Sequence, residues 1–435
     1  MGDLSIALIV CGALIGLMLL GVNIGVALGV SAFIGTWIIL NLDVALGVLS
    51  GIPYDFAASW KLSSIPMFLF MGYLCYHAKL TDGLFRAARL WLSNLPGGLA
   101  ISSIGAAAGF SAVTGSSVAC AAAMGRIAVP EMLKSGYDKG LASGVVAAAG
   151  TIGSLIPPSI LLLLYGIFAQ VPIGQLFLGG VGPGILTALL YSLMIILRVR
   201  ANPRLAPRVV ESISWRDRFS ALVDVWPVLA IAAGVFAGLF AGLFTPTEAG
   251  AIGASLSLIL ALARRTLTRA GFLAAVKETV WTTAAIFVIA IGAHMLTRFL
   301  ALAGLADALA GLVVDTGFHP LIVMAGMAVI YLILGMFLDP IGIMLLTLPI
   351  FLPVVEALDI DLIWFGVLVT KYLEIALITP PVGLNVFVIK GVVGKEIPTS
   401  TIFHGILWFI VADLGTITLM LLIPEIVVAL PNAFW

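Results

Sequence analysis

Charged residues make up only 10% of the 435 positions. That scarcity excludes a water-soluble globular protein, whose surface needs far more polar side chains. Cysteine is nearly missing. Cys11, Cys75 and Cys120 sit inside apolar segments at no metal-ligand spacing, which excludes a disulfide framework or a zinc site and leaves small buried apolar residues. The motifs HExxH, GxSxG and the P-loop are absent, so neither ATP hydrolysis nor any other enzymatic activity is expected. The first apolar run follows only Met-Gly-Asp-Leu, with no basic stretch before it and no Ala-x-Ala-like site after it. It reads as a retained helix rather than a cleaved signal.

What the chain does have is apolar length. It is 62% hydrophobic, its mean hydropathy is +1.22, and runs of about 17–25 apolar residues, enough to cross a bilayer, recur from end to end. The segments lie near 4–21, 24–41, 63–78, 97–132, 140–170, 174–199, 221–244, 247–263, 281–299, 319–356, 362–391 and 401–424. The pattern predicts an all-α polytopic membrane protein. Two segments, 97–132 and 319–356, are too long for one pass and are interrupted near their midpoints. Each suits a helical hairpin that enters and leaves on one side. Before each lies an amphipathic stretch, 82–97 and 302–317, suited to the membrane interface.

A repeat organises these pieces. SLIPPSILLLLYG (154–166) resembles ALITPPVGLNVFVIKG (376–391), so that Pro157-Pro158 matches Pro380-Pro381. The same shift carries 82–97 onto 302–317, Pro96-Gly97 onto His319-Pro320 and 63–78 onto 281–299. Each half reads helix, arm, hairpin, broken helix, helix. The expected domains are N-terminal scaffold helices (1–60), a first repeat (61–200), a basic loop with further scaffold helices (201–280), a second repeat (281–424) and a C-terminal tail (425–435). Lys79, Arg86 and Arg89 follow 63–78, whereas Arg264, Arg265, Arg269 and Lys277 precede 281–299. Basic residues mark the cytoplasm, so the equivalent helices run in opposite directions and the repeats are inverted, a common transporter plan. Threading the chain this way puts both termini outside and the stretch 198–218 inside. Of the 21 basic residues only Lys61, Arg298 and Lys371 then fall on the outer half.

Breaking a helix inside a bilayer is tolerated where the freed backbone is buried in protein or lines a cavity. The breaks lie at equivalent places: Gly153-Ser154 with Pro157-Pro158-Ser159, and Thr379-Pro380-Pro381 with Gly383 and Asn385. Freed carbonyls suit a small hard cation such as Na⁺, and freed N–H groups suit a carboxylate. A proline kink packed against neighbours is the plainer alternative. Hydroxyls of Ser111, Thr114, Ser116 and Ser117 mark the tip of the first hairpin. Gly335, Asp339, Pro340 and Gly342 mark the second. Asp339 suits a cation or a proton, and it equally suits a helix N-cap. Lys371 and Glu374, at i and i+3, can neutralise each other. His294, Arg298 and Asp413 are isolated in the sequence, and snorkelling or local pairing is expected of each. Thr245-Pro246-Thr247-Glu248 predicts a capped helix start.

Five stretches resemble the large membrane subunit of TRAP transporters, the tripartite ATP-independent periplasmic carriers: GSSVACAAAMGRIAVPEM (115–132), KGLASGVVAAAGTIGSLIPPS (139–159), GLFTPTEAGAIGA (242–254), GMFLDPIGIMLLTLPIFLPVV (335–355) and ALITPPVGLNVFVIKG (376–391). The resemblance covers essentially the whole chain. It implies an inverted-repeat elevator fold like that of ion-transporter-superfamily carriers, with two re-entrant hairpins and two broken helices moving against a scaffold. It implies Na⁺-coupled import of an organic acid across the bacterial inner membrane, Na⁺ being the coupling ion, with no permanently bound cofactor. The implied partners are a periplasmic substrate-binding protein, a small four-helix membrane subunit and the lipid bilayer, not nucleic acid. The family's motifs fall on Ser116-Ser117, Gly153 to Ser159, Gly335 to Pro340 and Thr379 to Asn385. Cation binding is accordingly expected at Ser116, Ser117, Gly153, Pro157, Gly335, Asp339, Thr379, Pro380 and Gly383. Substrate binding is expected at Ser154, Pro158, Ser159, Pro381 and Asn385. Arg126 stands where a smaller residue is expected. A stand-alone Na⁺- or H⁺-coupled carboxylate carrier, needing no binding protein, is the alternative.

Overall fold

The structure, a computed structural model, describes residues 2–207 and 214–434, and every regular element among them is helical. Part of the basic loop expected in the cytoplasm, 208–213, lies outside the described residues. Three helices open the chain: α1 (Asp3–Leu19), α2 (Ile24–Ile39) and α3 (Leu42–Ala57). Asn23 and Asn41 set the boundaries between them, their side chains accepting hydrogen bonds from the amides of Gly25 (3.0 Å) and Val44 (2.9 Å), as N-caps do. The hydrophobic pattern does not mark α3. It carries Asp43, Pro53 and Asp55, and only Ala45 is buried.

The first series follows as α4 (Ser64–His77), a short arm α5 (Gly83–Leu92), the hairpin α6 (Gly98–Thr114) and α7 (Ser117–Lys134), the broken pair α8 (Lys139–Thr151) and α9 (Ile160–Phe168), and the long α10 (Ile173–Ala201). Two connecting helices are α11 (Trp215–Phe240) and α12 (Pro246–Ala263). The second series runs α13 (Arg269–Leu302), α14 (Leu305–Thr316), α15 (Pro320–Gly335), α16 (Pro340–Ala357), α17 (Leu362–Ala376), α18 (Leu384–Val393) and α19 (Thr399–Leu422). The order helix, arm, hairpin, broken helix, helix therefore occurs twice. Six helices, α10, α11, α12, α13, α16 and α19, are long and apolar enough to cross a membrane. The capping box expected at Thr245 and Glu248 is present, with the Glu248 carboxylate accepting from the Thr245 amide at 2.8 Å.

Two boundaries differ from the sequence reading. The helix expected at 281–299 begins at Arg269, where Thr268 caps it, and runs for 34 residues. Its first turns are amphipathic, so hydropathy alone hides them. At 1.5 Å per residue it is about 51 Å long, longer than the hydrocarbon of a bilayer at about 30 Å. The segment 425–435 is not a tail: Glu425–Phe434 forms α20, packed with Ile426 and Val427 against Gly182 and Gly179 of α10.

Close approach of backbones holds the helices together, as expected where lipid offers no hydrophobic drive between apolar surfaces. A Cβ on Gly405 of α19 would stand 1.9 Å from the Gly140 carbonyl oxygen of α8. The arm α5 buries Leu84, Phe85 and Ala87. Its outer side bridges two neighbours, Arg86 reaching Asp224 of α11 at 3.4 Å and Arg89 pairing with Glu131 of α7. The arm thus ties the first hairpin to α11.

Candidate functional site: hairpin tips seated on helix breaks

At the first tip the chain leaves α6 through Gly115, whose φ is +61°, a left-handed conformation that favours glycine. Glycine is required there for a second reason: a Cβ would lie 2.0 Å from the carbonyl oxygen of Pro158. The tip therefore presses directly on the first break. The Ile160 amide donates to the Gly115 carbonyl at 3.4 Å, the hydroxyls of Ser117 and Ser154 are hydrogen-bonded to each other, and a Cβ on Gly153 would stand 3.2 Å from the Ser116 carbonyl. Ser116 caps α7 and Ser159 caps α9, accepting from the amides of Ala119 (3.4 Å) and Leu162 (3.2 Å). So Ser116, Ser117, Gly153, Ser154, Pro158 and Ser159 are brought to one place. Between Ser154 and Ser159 the chain is not helical, and Pro157-Pro158 lies within that stretch.

The second break spans residues 377–383, between α17 and α18. It includes Thr379, Pro380 and Pro381 and ends on Gly383 at φ +57°. Gly335, at the end of α15, seats the second hairpin against the last residue of α17, just before that break, because a Cβ there would fall 2.0 Å from that of Ala376. Asp339 accepts from the Gly342 amide at 2.9 Å and so caps α16, beside Ile24 of α2. Thr379 donates to the Ile375 carbonyl at 2.7 Å. These two expected cation ligands thus each bond within their own segment.

Asn385 links the halves. Its Nδ2 donates to the Ala147 carbonyl of α8 at 3.1 Å, while its Oδ1 is buried without a hydrogen-bond partner among the described residues. Buried amide oxygens are rarely left so, because the desolvation cost is uncompensated. A cation or a substrate donor would satisfy it. Beside the first tip lies a cavity of about 430 Å³, walled by Thr114 and Ser116 on one side and by Tyr73 and Tyr76 of α4 with Glu278 and Thr282 of α13 on the other. Tyr73 and Thr282 are hydrogen-bonded at 2.9 Å. The exposed Arg126 donates to the Tyr76 hydroxyl at 3.2 Å, packing α7 against α4.

Asp413 has the pairing expected of it, and its partner comes from another helix. Lys371 Nζ stands 2.7 Å from its Oδ1 and 3.5 Å from Glu374 Oε2, so the main partner of Lys371 lies on α19, not one turn along its own helix. The signal available in sequence was weak: a buried ion in a membrane segment requires a counter-ion, and Lys371 is the basic residue deepest in the second half. His294 packs its ring against Phe56 and Phe168.

A multi-pass, all-helical chain with hairpins seated on interrupted helices is built as a membrane transport protein. Residues 11–426 match the model of the tripartite ATP-independent periplasmic transporter DctM component, and the chain belongs to that family. It is 32% identical to the C4-dicarboxylate TRAP transporter large permease protein DctM of Pseudomonas aeruginosa, covering 87% of this chain and 88% of that one. It is 29% identical to the sialic acid TRAP transporter large permease protein SiaM of Vibrio cholerae, over 97% of each. Among solved structures, the YdaH transporter of Alcanivorax borkumensis shares the fold with a TM-score of 0.60 at 16% identity, over 88% and 89% of the two chains.

Proposed function

We propose that this large permease imports an organic acid by Na⁺ symport. A periplasmic binding protein delivers the acid, and a small four-helix membrane subunit stands alongside. The observation that carries the reading is the seating of a hairpin tip on each helix break, with the orphaned Asn385 Oδ1 between the halves. Carbonyls freed at the breaks supply oxygen ligands of the kind a hard cation takes, and N–H groups at half-helix ends suit a carboxylate. Ser116, Ser117 and Gly153 would hold one cation, Asp339 and Thr379 another once the second hairpin closes further. The cavity beside Ser116 separates the first hairpin from α4 and α13 and suits a displacement of the hairpin relative to them. Relatives named for a dicarboxylate and for sialic acid are in keeping with a carboxylate, whose identity the binding protein would select.

The test is uptake into proteoliposomes holding the assembled carrier. With the binding protein present, a Na⁺ gradient is expected to drive uptake at least about tenfold faster than K⁺ at fixed pH, equivalent to about 1.4 kcal/mol. Equal rates would sink the sodium assignment. Full uptake without the binding protein would establish the stand-alone carrier instead.

Orientation has its own test. In a background with Cys11, Cys75 and Cys120 replaced by alanine, Arg204→Cys is expected to resist a membrane-impermeant maleimide applied to the periplasmic side. Asn432→Cys, exposed on α20, is expected to label, because the basic residues around α10 to α13 place the 198–218 loop in the cytoplasm and thereby the C-terminus in the periplasm. The reverse pattern overturns the threading and the inversion of the repeats.

A further inference from the structure

The interior holds three charges that the transport reading leaves unused. Lys371 and Glu374 of α17 and Asp413 of α19 are all fully buried. Asp413 is completely paired: Lys371 Nζ lies 2.7 Å from its Oδ1, and the Tyr191 hydroxyl of α10 sits 2.8 and 2.7 Å from its two oxygens. Lys371 also donates to Thr187 of α10 at 3.2 Å. Glu374 has no such support. Lys371 stands 3.5 Å from its Oε2, and neither of its oxygens accepts a hydrogen bond among the described residues. The Ser154 amide, at the first break, lies on its side without closing a bond to it.

Charge balance decides what this arrangement can be. One ammonium faces two carboxylates, and its short contact goes to Asp413. An ionised Glu374 would be a buried charge with no closed hydrogen bond, sharing at 3.5 Å an ammonium whose short contact is to Asp413, and such under-compensated buried charges are costly. A metal ion would need several oxygens around it, and the neighbours of Glu374 along α17, Tyr372, Leu373, Ile375 and Ala376, are buried core residues. A proton needs only the carboxyl group itself. We propose that Glu374 holds a proton in this conformation and gives it up to solvent when a cation occupies the first helix break beside Ser154. A cation there favours the ionised carboxylate, and by reciprocity the proton weakens cation binding. Protons and Na⁺ therefore compete across the two repeats. The second clause of the proposal rests on the Na⁺ reading above; the first does not.

The groups facing Glu374 are Lys371 on its own helix, Asp413 from α19, Tyr191 from α10, and Ser154. The experiment compares wild type with Glu374→Gln, which keeps the shape of the protonated acid. In Na⁺-free detergent, the folded wild type holds a proton that an unfolded glutamate has lost above about pH 5, so its melting temperature should fall as pH rises from about 6 to 8. E374Q should melt within a few degrees of wild type at pH 6 and show a shallower fall. Adding Na⁺ to weakly buffered wild type should release protons, read with a pH dye, and E374Q should release none. The Na⁺ concentration for half-maximal uptake should fall severalfold between pH 6 and 8 in wild type and stay flat in E374Q. An unfolded E374Q overturns the proposal, because a neutral isostere would then not replace what Glu374 is. So do identical pH slopes in the two proteins. If Na⁺ has no effect on wild-type uptake, the sodium reading fails, and the melting comparison still decides whether Glu374 carries the proton.

Discussion

Replacing Pro380 and Pro381 together with alanine is expected to abolish Na⁺-dependent uptake in a carrier that still inserts and melts no lower than wild type. The chain between Ala376 and Leu384 is held out of helical conformation, and the two prolines supply neither an N–H donor nor room for the preceding turn. Alanine restores both donors and favours a continuous helix by up to about 3 kcal/mol per residue. A helix continued through this point would bond internally the carbonyls proposed to hold a cation and would swing Asn385 away from Ala147, to which it now donates at 3.1 Å. Stability and transport should thus move in opposite directions, which a merely destabilising mutation cannot do. Pro157 and Pro158, equivalent in the first repeat, should respond alike. Proteoliposome uptake and thermal melting on the same preparations check this. Normal uptake with unchanged Na⁺ dependence would reduce the prolines to kinks.

Gly115→Ala is expected to be nearly as damaging, by a different route. The residue is left-handed, which costs a non-glycine residue about 1–2 kcal/mol. Its new methyl would also meet the Pro158 carbonyl oxygen at 2.0 Å, a backbone atom that cannot rotate aside. Adding an overpacking cost of about 1–3 kcal/mol gives at least about 2 kcal/mol against the docked tip, or roughly 30-fold in its docking equilibrium constant. Uptake should fall severalfold, by up to about that factor. Gly335→Ala should act in the same direction at the second hairpin, where the methyl meets Ala376. Gly311→Ala on α14, with nothing within 4 Å of the new methyl, should leave uptake unchanged. Wild-type uptake by Gly115→Ala would mean that the tip need not rest on the break.

Much of this architecture is legible in sequence because its signals act within a turn or two. Asn23, Asn41, Thr245 and Asp361 start helices through their own side chains, each bonding amides two or three residues on. Pro157-Pro158 and Pro380-Pro381 interrupt helices wherever the surrounding fold places them. Apolar length marked the spans, and the recurrence of arm, hairpin and broken helix exposed the repeat. Where the signal was mixed, it misled: polar residues in the first turns of α13 and acidic residues in α3 hid real helices behind ordinary hydropathy.

The sequence by itself determined the membrane class, the order of elements within the two series, the positions of both breaks and the family. Tertiary structure alone decided which atoms meet. That Gly115 rests on Pro158, that Asn385 ties α18 to α8, and that Lys371 spends its charge on Asp413 rather than on Glu374 depend on helices packed from distant parts of the chain. Such contacts have no local signature. A buried ion or amide advertises that it needs a partner, because desolvation without one is costly, but the choice among candidates is made by packing distance. That choice left Glu374 and the Asn385 oxygen without a hydrogen bond among the described residues.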